Sequence, residues 1–196
     1  FCTVAVALLL HGLLVYPLLL KAFTGLSPFS FFKKMREPIL VAFSTSSSGA
    51  TLPVTLRAVE HRLGVKNDVA SFAIPLGATI NMDGTAIMQG VATVFIAQFY
   101  GLQLGLDSFL MVVLTATLAS IGTAAVPGVG LITLTLVLDQ VGLPVEGIGL
   151  IIGVDRLLDM LRTAVNVTGD GAVATIVASS EDQLDQEIFR DTKLNA

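Results

Sequence analysis

The chain has 196 residues, 54% hydrophobic and only 13% charged, with a formal net charge of -4 and a mean hydropathy of +0.83. Soluble domains carry about 25% charged residues, so the composition excludes an ordinary soluble protein and predicts an all-α integral membrane protein, multi-pass, in a cell (plasma or inner) membrane. The lone cysteine, Cys2, excludes a disulfide framework, and no basic patch interleaved with aromatics suggests nucleic acid.

Residues 1–24 read as a transmembrane helix. Residues 1–20 carry no charge apart from a possible one on His11, and a span needs roughly 20 mostly apolar residues. The segment starts at Phe1 without an initiator Met or a basic n-region, which predicts a fragment lacking its N-terminal part rather than a signal peptide. The following run "SPFSFFKKMREP" reads as an interfacial, amphipathic lead-in, with Phe toward lipid headgroups and basic residues toward the cytoplasm.

Lys21, Lys33, Lys34 and Arg36 precede "PILVAFSTSSSGATLPVTL" (38–56), Arg57, Arg62 and Lys66 follow it, and no Lys or Arg lies between Lys66 and Arg156. The positive-inside rule places residues 21–37, 57–67 and the tail in the cytoplasm, with the loops near 100–108 and 139–146 outside. Residues 29–66 are therefore predicted as a first re-entrant hairpin from the cytoplasmic side. Residues 68–100 form a broken transmembrane helix containing "NMDG" (81–84). Residues 107–142 form a second re-entrant hairpin from the extracellular side. The uncharged run 108–138 is interrupted there by "SIGTAAVPGVG", and each half, roughly 18 Å of helix, reaches only the middle of a 30 Å core. Asp107 is the expected N-cap of its first arm. Residues 144–178 are a polar-striped last transmembrane helix, and 179–196 a polar cytoplasmic tail.

"SSSGATLP" (46–53) and "SIGTAAVP" (120–127) both begin with Ser and end with Pro, 74 residues apart. Each precedes a segment with embedded Asn and Asp, "NMDG" and then "NVTGDG" (166–171). With opposite sides of insertion, this predicts inverted repeats, each a re-entrant helical hairpin plus a broken or polar transmembrane helix. That is the pattern of a secondary transporter with its site near the midplane. Two kinked spanning helices are the alternative.

Asp155, Asp159, Arg162, Asn166 and Asp170 are spaced i, i+4, i+7, i+11 and i+15, within a sector of roughly 80° on one helical face. Leu157, Leu161, Val165 and Ile176 lie opposite. Charges at membrane depth face protein or a water-filled cavity. Asp83, Asp155, Asp159 and Asp170 contribute minus four, Arg156 and Arg162 plus two, so a cation is expected to complete the site. An ion-pair cluster joining Asp159 to Arg162 is the purely structural alternative. A helix unwound at "NMDG" frees carbonyls that, with carboxylates, form a hard oxygen shell for a small cation such as Na⁺. Protons on the carboxylates are the competing explanation. Helix N-termini at "SSSG" and after "VPG" offer N–H donors to an anion.

"SSSGATLP", "GATINMDGTA", "SIGTAAVPG" and "LLDMLRTAVNVTGD" together resemble the signature segments of the glutamate transporter family, the dicarboxylate/amino acid:cation symporters, in the same order from about Val15 to Ser180. The resemblance implies an elevator-type transport domain, a homotrimer when full length, and an acidic amino acid or dicarboxylate as substrate within the lipid bilayer. It implies that Arg162 pairs with the substrate's side-chain carboxylate and Asp159 with its amino group. Asn166 and the backbone near Ser47 and Ser48 would hold the α-carboxylate, with Thr85 and Thr163 assisting. Val126 and Gly130 would help close the outer hairpin. One Na⁺ site would use Asp170 with Gly77, Asn81 and Asn166. A second would use Thr79, Met82, Ser120, Ile121 and Thr123, and a third Asp83 with Asn81. Since a C4-dicarboxylate needs no acidic partner for an amino group, Asp159 favours aspartate or glutamate. Two departures from the family pattern are Ala125, where Gly is expected, and Ser46, where some prokaryotic relatives carry Arg and Arg156 would supply the charge instead.

Rival readings are a C4-dicarboxylate or neutral amino acid carrier, a proton-coupled symporter of glutamate, aspartate or C4-dicarboxylates with the same fold and, in another class, an intramembrane hydrolase using Ser46–Ser48. The hydrolase needs a base, and His11 and His61 read as packing or surface residues, so no enzyme is expected. Tyr16 and Tyr100 read as interface residues, and Met88, Met111 and Met160 as packing.

Overall fold

The computed structural model describes residues 1–121 and 124–191. The first helix runs from Cys2 to Thr24 as α1 (Cys2–Leu10), a π-helical turn (His11–Val15) and α2 (Tyr16–Thr24). It ends at Gly25, whose φ of 69° supplies the left-handed residue that lets the chain turn. Among the described residues this is the one helix long and apolar enough to cross a membrane by length and composition.

The next two helices, α3 (Pro28–Thr45) and α4 (Ser48–His61), form a hairpin closed by two residues. Ser27 caps α3 by accepting from the Ser30 N–H at 3.4 Å, and Ser47 caps α4 by accepting from the Ala50 N–H at 3.1 Å. Ser46 takes the left-handed conformation between them, with φ 54°. Helices α5 (Asn67–Ile80) and α6 (Asp83–Phe99) are two halves of one rod, interrupted where Asn81 and Met82 leave helical geometry.

A second hairpin consists of α7 (Leu106–Ser120) and α8 (Val129–Gln140). Gly105 rather than Asp107 is the N-cap of α7. The helix starts one residue before Asp107, so its carboxylate meets the helix dipole from the first turn. A 3₁₀ turn (Val145–Leu150) leads to α9 (Ile152–Ser180), which packs on the first helix, both arms of the first hairpin and both halves of the broken rod.

The distribution of polarity is that of a membrane protein. Phe29, Phe72, Leu110, Val113 and Ile132 are exposed, whereas Thr51, Thr55, Gln89, Thr93, Arg162, Asn166, Asp170 and Thr175 are buried. Charged groups at such depth persist when the protein interior satisfies them.

After α9 the chain folds back under the first hairpin. Val65 and Leu184 form an antiparallel bridge, and the Lys66 N–H donates to the Gln183 carbonyl at 2.9 Å. Asp185 caps the short α10 (Gln186–Arg190), and the buried Lys34 of α3 donates to the Ile188 and Asp191 carbonyls, each at 3.0 Å. Gly64, with φ 80°, lies against the Asp185 carbonyl where no Cβ fits.

Candidate functional site

The polar stripe of α9 faces inward, toward the place where both hairpin tips and the Asn81–Met82 break converge. Asp155, Asp159, Arg162, Thr163, Asn166 and Asp170 are all buried. Arg162 Nε donates to Asp159 Oδ1 at 3.0 Å, Nη2 lies 2.9 Å from the same oxygen, and Nη1 donates to Asp155 Oδ1 at 3.5 Å. The other carboxylate oxygen of Asp159 accepts from the Gly128 N–H at 2.8 Å. Asp159 thus joins the guanidinium to the tip of the second hairpin. Gly130 lies flush against the guanidinium, with no room for a Cβ.

The hairpin tips meet directly. Ser47 Oγ donates to the Ala125 carbonyl at 2.6 Å, and the Gly49 N–H donates to the same oxygen at 3.1 Å. Beneath them is a cavity of about 20 Å³, lined among others by Ser46, Ser48, Thr85, Val126, Asp159 and Arg162. Thr163 and Asn166 also line it. A water needs about 10–15 Å³ of such volume, so the cavity has room for one and not for an amino acid. Ser46 Oγ is buried without a hydrogen-bond partner among the described residues. Neither histidine lines this cavity, and His61 is exposed, so the serines face no imidazole base.

Asn166 ties the stripe to the broken rod. Its Oδ1 accepts from the Gly84 N–H at 2.7 Å, and its Nδ2 donates to Met82 Sδ at 3.3 Å. One turn further, Asp170 Oδ1 accepts from Asn81 Nδ2 at 3.0 Å. A Cβ on Gly77 would lie 2.6 Å from that carboxylate oxygen, so the backbone approaches Asp170 only because residue 77 is glycine. Asn81 Nδ2 also donates to the Asn166 carbonyl at 3.4 Å. Gly77, Asn81, Asn166 and Asp170 are therefore brought together, with the carboxylate and carbonyl chemistry that suits a hard cation. Among the described residues no group of three or more His, Cys, Asp or Glu forms a metal site.

Asp83 is held differently. His11 Nε2 is 3.0 Å from its Oδ2, and the Tyr16 hydroxyl donates to the same oxygen at 2.9 Å. Both residues do more than the sequence reading gave them: Tyr16 is buried in the core, and each also holds a carboxylate. The π-helical turn explains this: it puts residues i and i+5 on one face, and the two rings meet edge to face at 4.7 Å. The Asn81 amide goes to Asp170 and Asn166 rather than to Asp83.

The remaining proposed cation ligands make local bonds of their own. Thr79 is exposed and its hydroxyl donates to the Leu76 carbonyl, Ser120 Oγ donates to the Thr117 carbonyl, and Ile121 is exposed. Among the described residues no hydrogen bond links Thr79 to Ser120 or Ile121, and Thr123 lies outside the described residues. Arg156 follows Asp155 on α9 and is exposed. Among the described residues the buried Asp155, Asp159 and Asp170 stand with one buried arginine, Arg162, while Asp83 stands against His11. Sequence reasoning also missed Asp155 as a direct partner of Arg162, although its i, i+7 spacing was visible. It missed the buried Gln89, whose Nε2 donates to Thr133 Oγ1 at 2.7 Å.

Comparisons with known proteins agree on one family. A profile of the sodium:dicarboxylate symporter family matches residues 1–180. The chain is 50% identical over 175 residues to excitatory amino acid transporter 2 of Mus musculus, covering 89% of this chain and 31% of that protein. It is 48% identical over 185 residues to excitatory amino acid transporter 3 of Mus musculus, covering 94% and 35%. An excitatory amino acid transporter of Caenorhabditis elegans is 48% identical over 175 residues, with 89% and 35% covered. The chain spans about a third of the length of the curated relatives it matches.

Proposed function

This chain belongs to the sodium:dicarboxylate symporter family, and from that premise we propose that it is the substrate- and cation-carrying part of a Na⁺-coupled symporter for aspartate or glutamate. The observation that carries the reading is the buried Arg162, shared between Asp159 and Asp155 beneath two touching hairpin tips. A guanidinium matches a carboxylate bidentately. An acidic amino acid exchanges the internal pair for two new ones, its side-chain carboxylate taking Arg162 and its ammonium taking Asp159. The N–H groups at the start of α4, near Ser47 and Ser48, and the Asn166 amide receive the α-carboxylate, and Thr85 and Thr163 complete the pocket.

Substrate entry requires the small cavity to open. In this reading the two hairpins are re-entrant, α3–α4 from the cytoplasm and α7–α8 from outside, and form inverted repeats with α5–α6 and α9. Val126 and Gly130 belong to the lid. Na⁺ travels as co-substrate, one ion between Asp170, Gly77, Asn81 and Asn166 and another at Asp83. A third position at Thr79, Met82, Ser120, Ile121 and Thr123 requires the second hairpin tip to move. The domain moves as an elevator within a homotrimer in the plasma or inner membrane.

The test is binding and uptake in proteoliposomes containing the full-length transporter. Arg162→Ala is expected to reduce aspartate affinity at least a hundredfold, because removing one partner of a buried charge pair costs about 3–5 kcal/mol. Asp159→Asn is expected to weaken aspartate far more than succinate, which has no ammonium. Equal weakening of both by Asp159→Asn contradicts the amino-group assignment.

A further inference from the structure

We propose that the exposed stripe of α3, with the groove it forms against α1 and α9, is a binding site for one anionic phospholipid. Phe32, Arg36, Ile39, Leu40 and Phe43 fall within a sector of roughly 100° on α3, and Lys33 flanks it. Arg36 and Lys33 are exposed. Neither has a hydrogen-bond or ion-pair partner among the described residues, because the adjacent Glu37 is taken by Arg62 at 2.6 Å. Beside this stripe lies an open groove of about 390 Å³, lined by Leu9, Leu13, Phe32, Leu40, Phe43 and Ala164 among others. Thr168 supplies its single hydroxyl, and that hydroxyl is turned to the Ala164 carbonyl at 2.7 Å. The volume is that of a small-molecule pocket, but the lining offers nothing polar to bind. It suits an acyl chain.

The charge fixes the other half of the ligand. Two unpaired cations beside an apolar groove complement a phosphodiester with a hydrocarbon tail, and each basic residue near an anionic headgroup contributes roughly fivefold. Depth agrees, in a step that rests on the re-entrant reading of α3–α4. Arg36 is nine residues from the helix end at Thr45, about 13 Å, and half of a bilayer core is about 15 Å. With the hairpin tip at the midplane, Arg36 reaches the hydrocarbon edge, and helical side chains lean toward the N-terminus, here the basic end. Phe29, exposed one turn before Lys33, then lies at headgroup level.

The test uses the full-length protein in phosphatidylcholine vesicles doped with a phosphatidylglycerol whose tail carries a photoactivatable diazirine. A parallel sample carries the same tail on phosphatidylcholine, and labelled peptides are mapped by mass spectrometry. Phosphatidylglycerol is expected to label residues 32–43 and 161–168 at least fivefold more than phosphatidylcholine. The double variant Lys33→Gln, Arg36→Gln should bring it down to the phosphatidylcholine level, while labelling by phosphatidylcholine stays at the wild-type level and reports an intact fold. Equal labelling of the wild type by both lipids marks ordinary surrounding lipid and overturns the proposal. So does the absence of labelling by either, with Leu40→Cys shielded by neighbouring protein. Na⁺-driven uptake measured in the same vesicles reads the transport assignment separately.

Discussion

The two hairpins have similar sequences at their tips and opposite ways of being held. The first is fixed along its whole length: serine caps start both helices, two residues close the turn, and its base is clasped by the segment after α9 through Lys34, Gly64 and Val65. The second has glycines at both N-caps, without side-chain capping, and eight residues between its arms. Its polar attachments concentrate at the site: Gly128 on Asp159, Ala125 on Ser47 and Gly49, and Gly130 against Arg162. Capping side chains are worth about 0.5–2 kcal/mol each, and the base clasp adds to that only in the first hairpin. The difference teaches which one a substrate can move. A ligand that takes Asp159 and Arg162 competes for the second hairpin's own anchors and leaves the base clasp of the first untouched.

The sharpest way to break this asymmetry is Gly130→Ala, where the new Cβ meets the Arg162 guanidinium. Aspartate affinity should fall tenfold or more. Its counterpart in the first hairpin, Gly49→Ala, places a Cβ 3.1 Å from the Ala125 carbonyl and should cost severalfold less in the same binding assay. Next in size is Lys34→Met, which leaves the α10 carbonyls without their donor. A stability loss of about 1–3 kcal/mol is expected in thermal unfolding, with aspartate affinity within about twofold of wild type if the clasp only fixes the first hairpin. Smallest is Asp107→Asn in the first turn of α7. Its carboxylate caps nothing and acts through the helix dipole alone, worth about 0.3–1 kcal/mol and screened by salt, so added salt should erase the difference from wild type.

The parts of the site that were legible in the sequence obey the helical period. Asp155, Asp159, Arg162, Asn166 and Asp170 share a face because 3.6 residues make a turn, and the structure buries all five. The interruption at Asn81–Met82 was announced by Gly84 and by polar residues with no place on a lipid-facing surface. What escaped departs from that period or depends on distant pairing. His11 and Tyr16 meet only because the helix widens to five residues per hydrogen bond between them, and their shared partner Asp83 lies 72 and 67 residues away. The clasp was hidden in a tail that reads as polar, because its binding energy is in backbone carbonyls and the buried Phe189 rather than in a motif. The all-helical architecture, by contrast, follows from composition together with the absence of aqueous partners for backbone groups in lipid.

The most direct test of the account is uptake of labelled aspartate by the full-length transporter in proteoliposomes. An inward Na⁺ gradient is set against equal gradients of K⁺ or H⁺, with Arg162→Ala alongside. The account predicts uptake that needs Na⁺ and disappears with Arg162. Uptake driven by H⁺ without Na⁺, or aspartate uptake that survives Arg162→Ala, contradicts it.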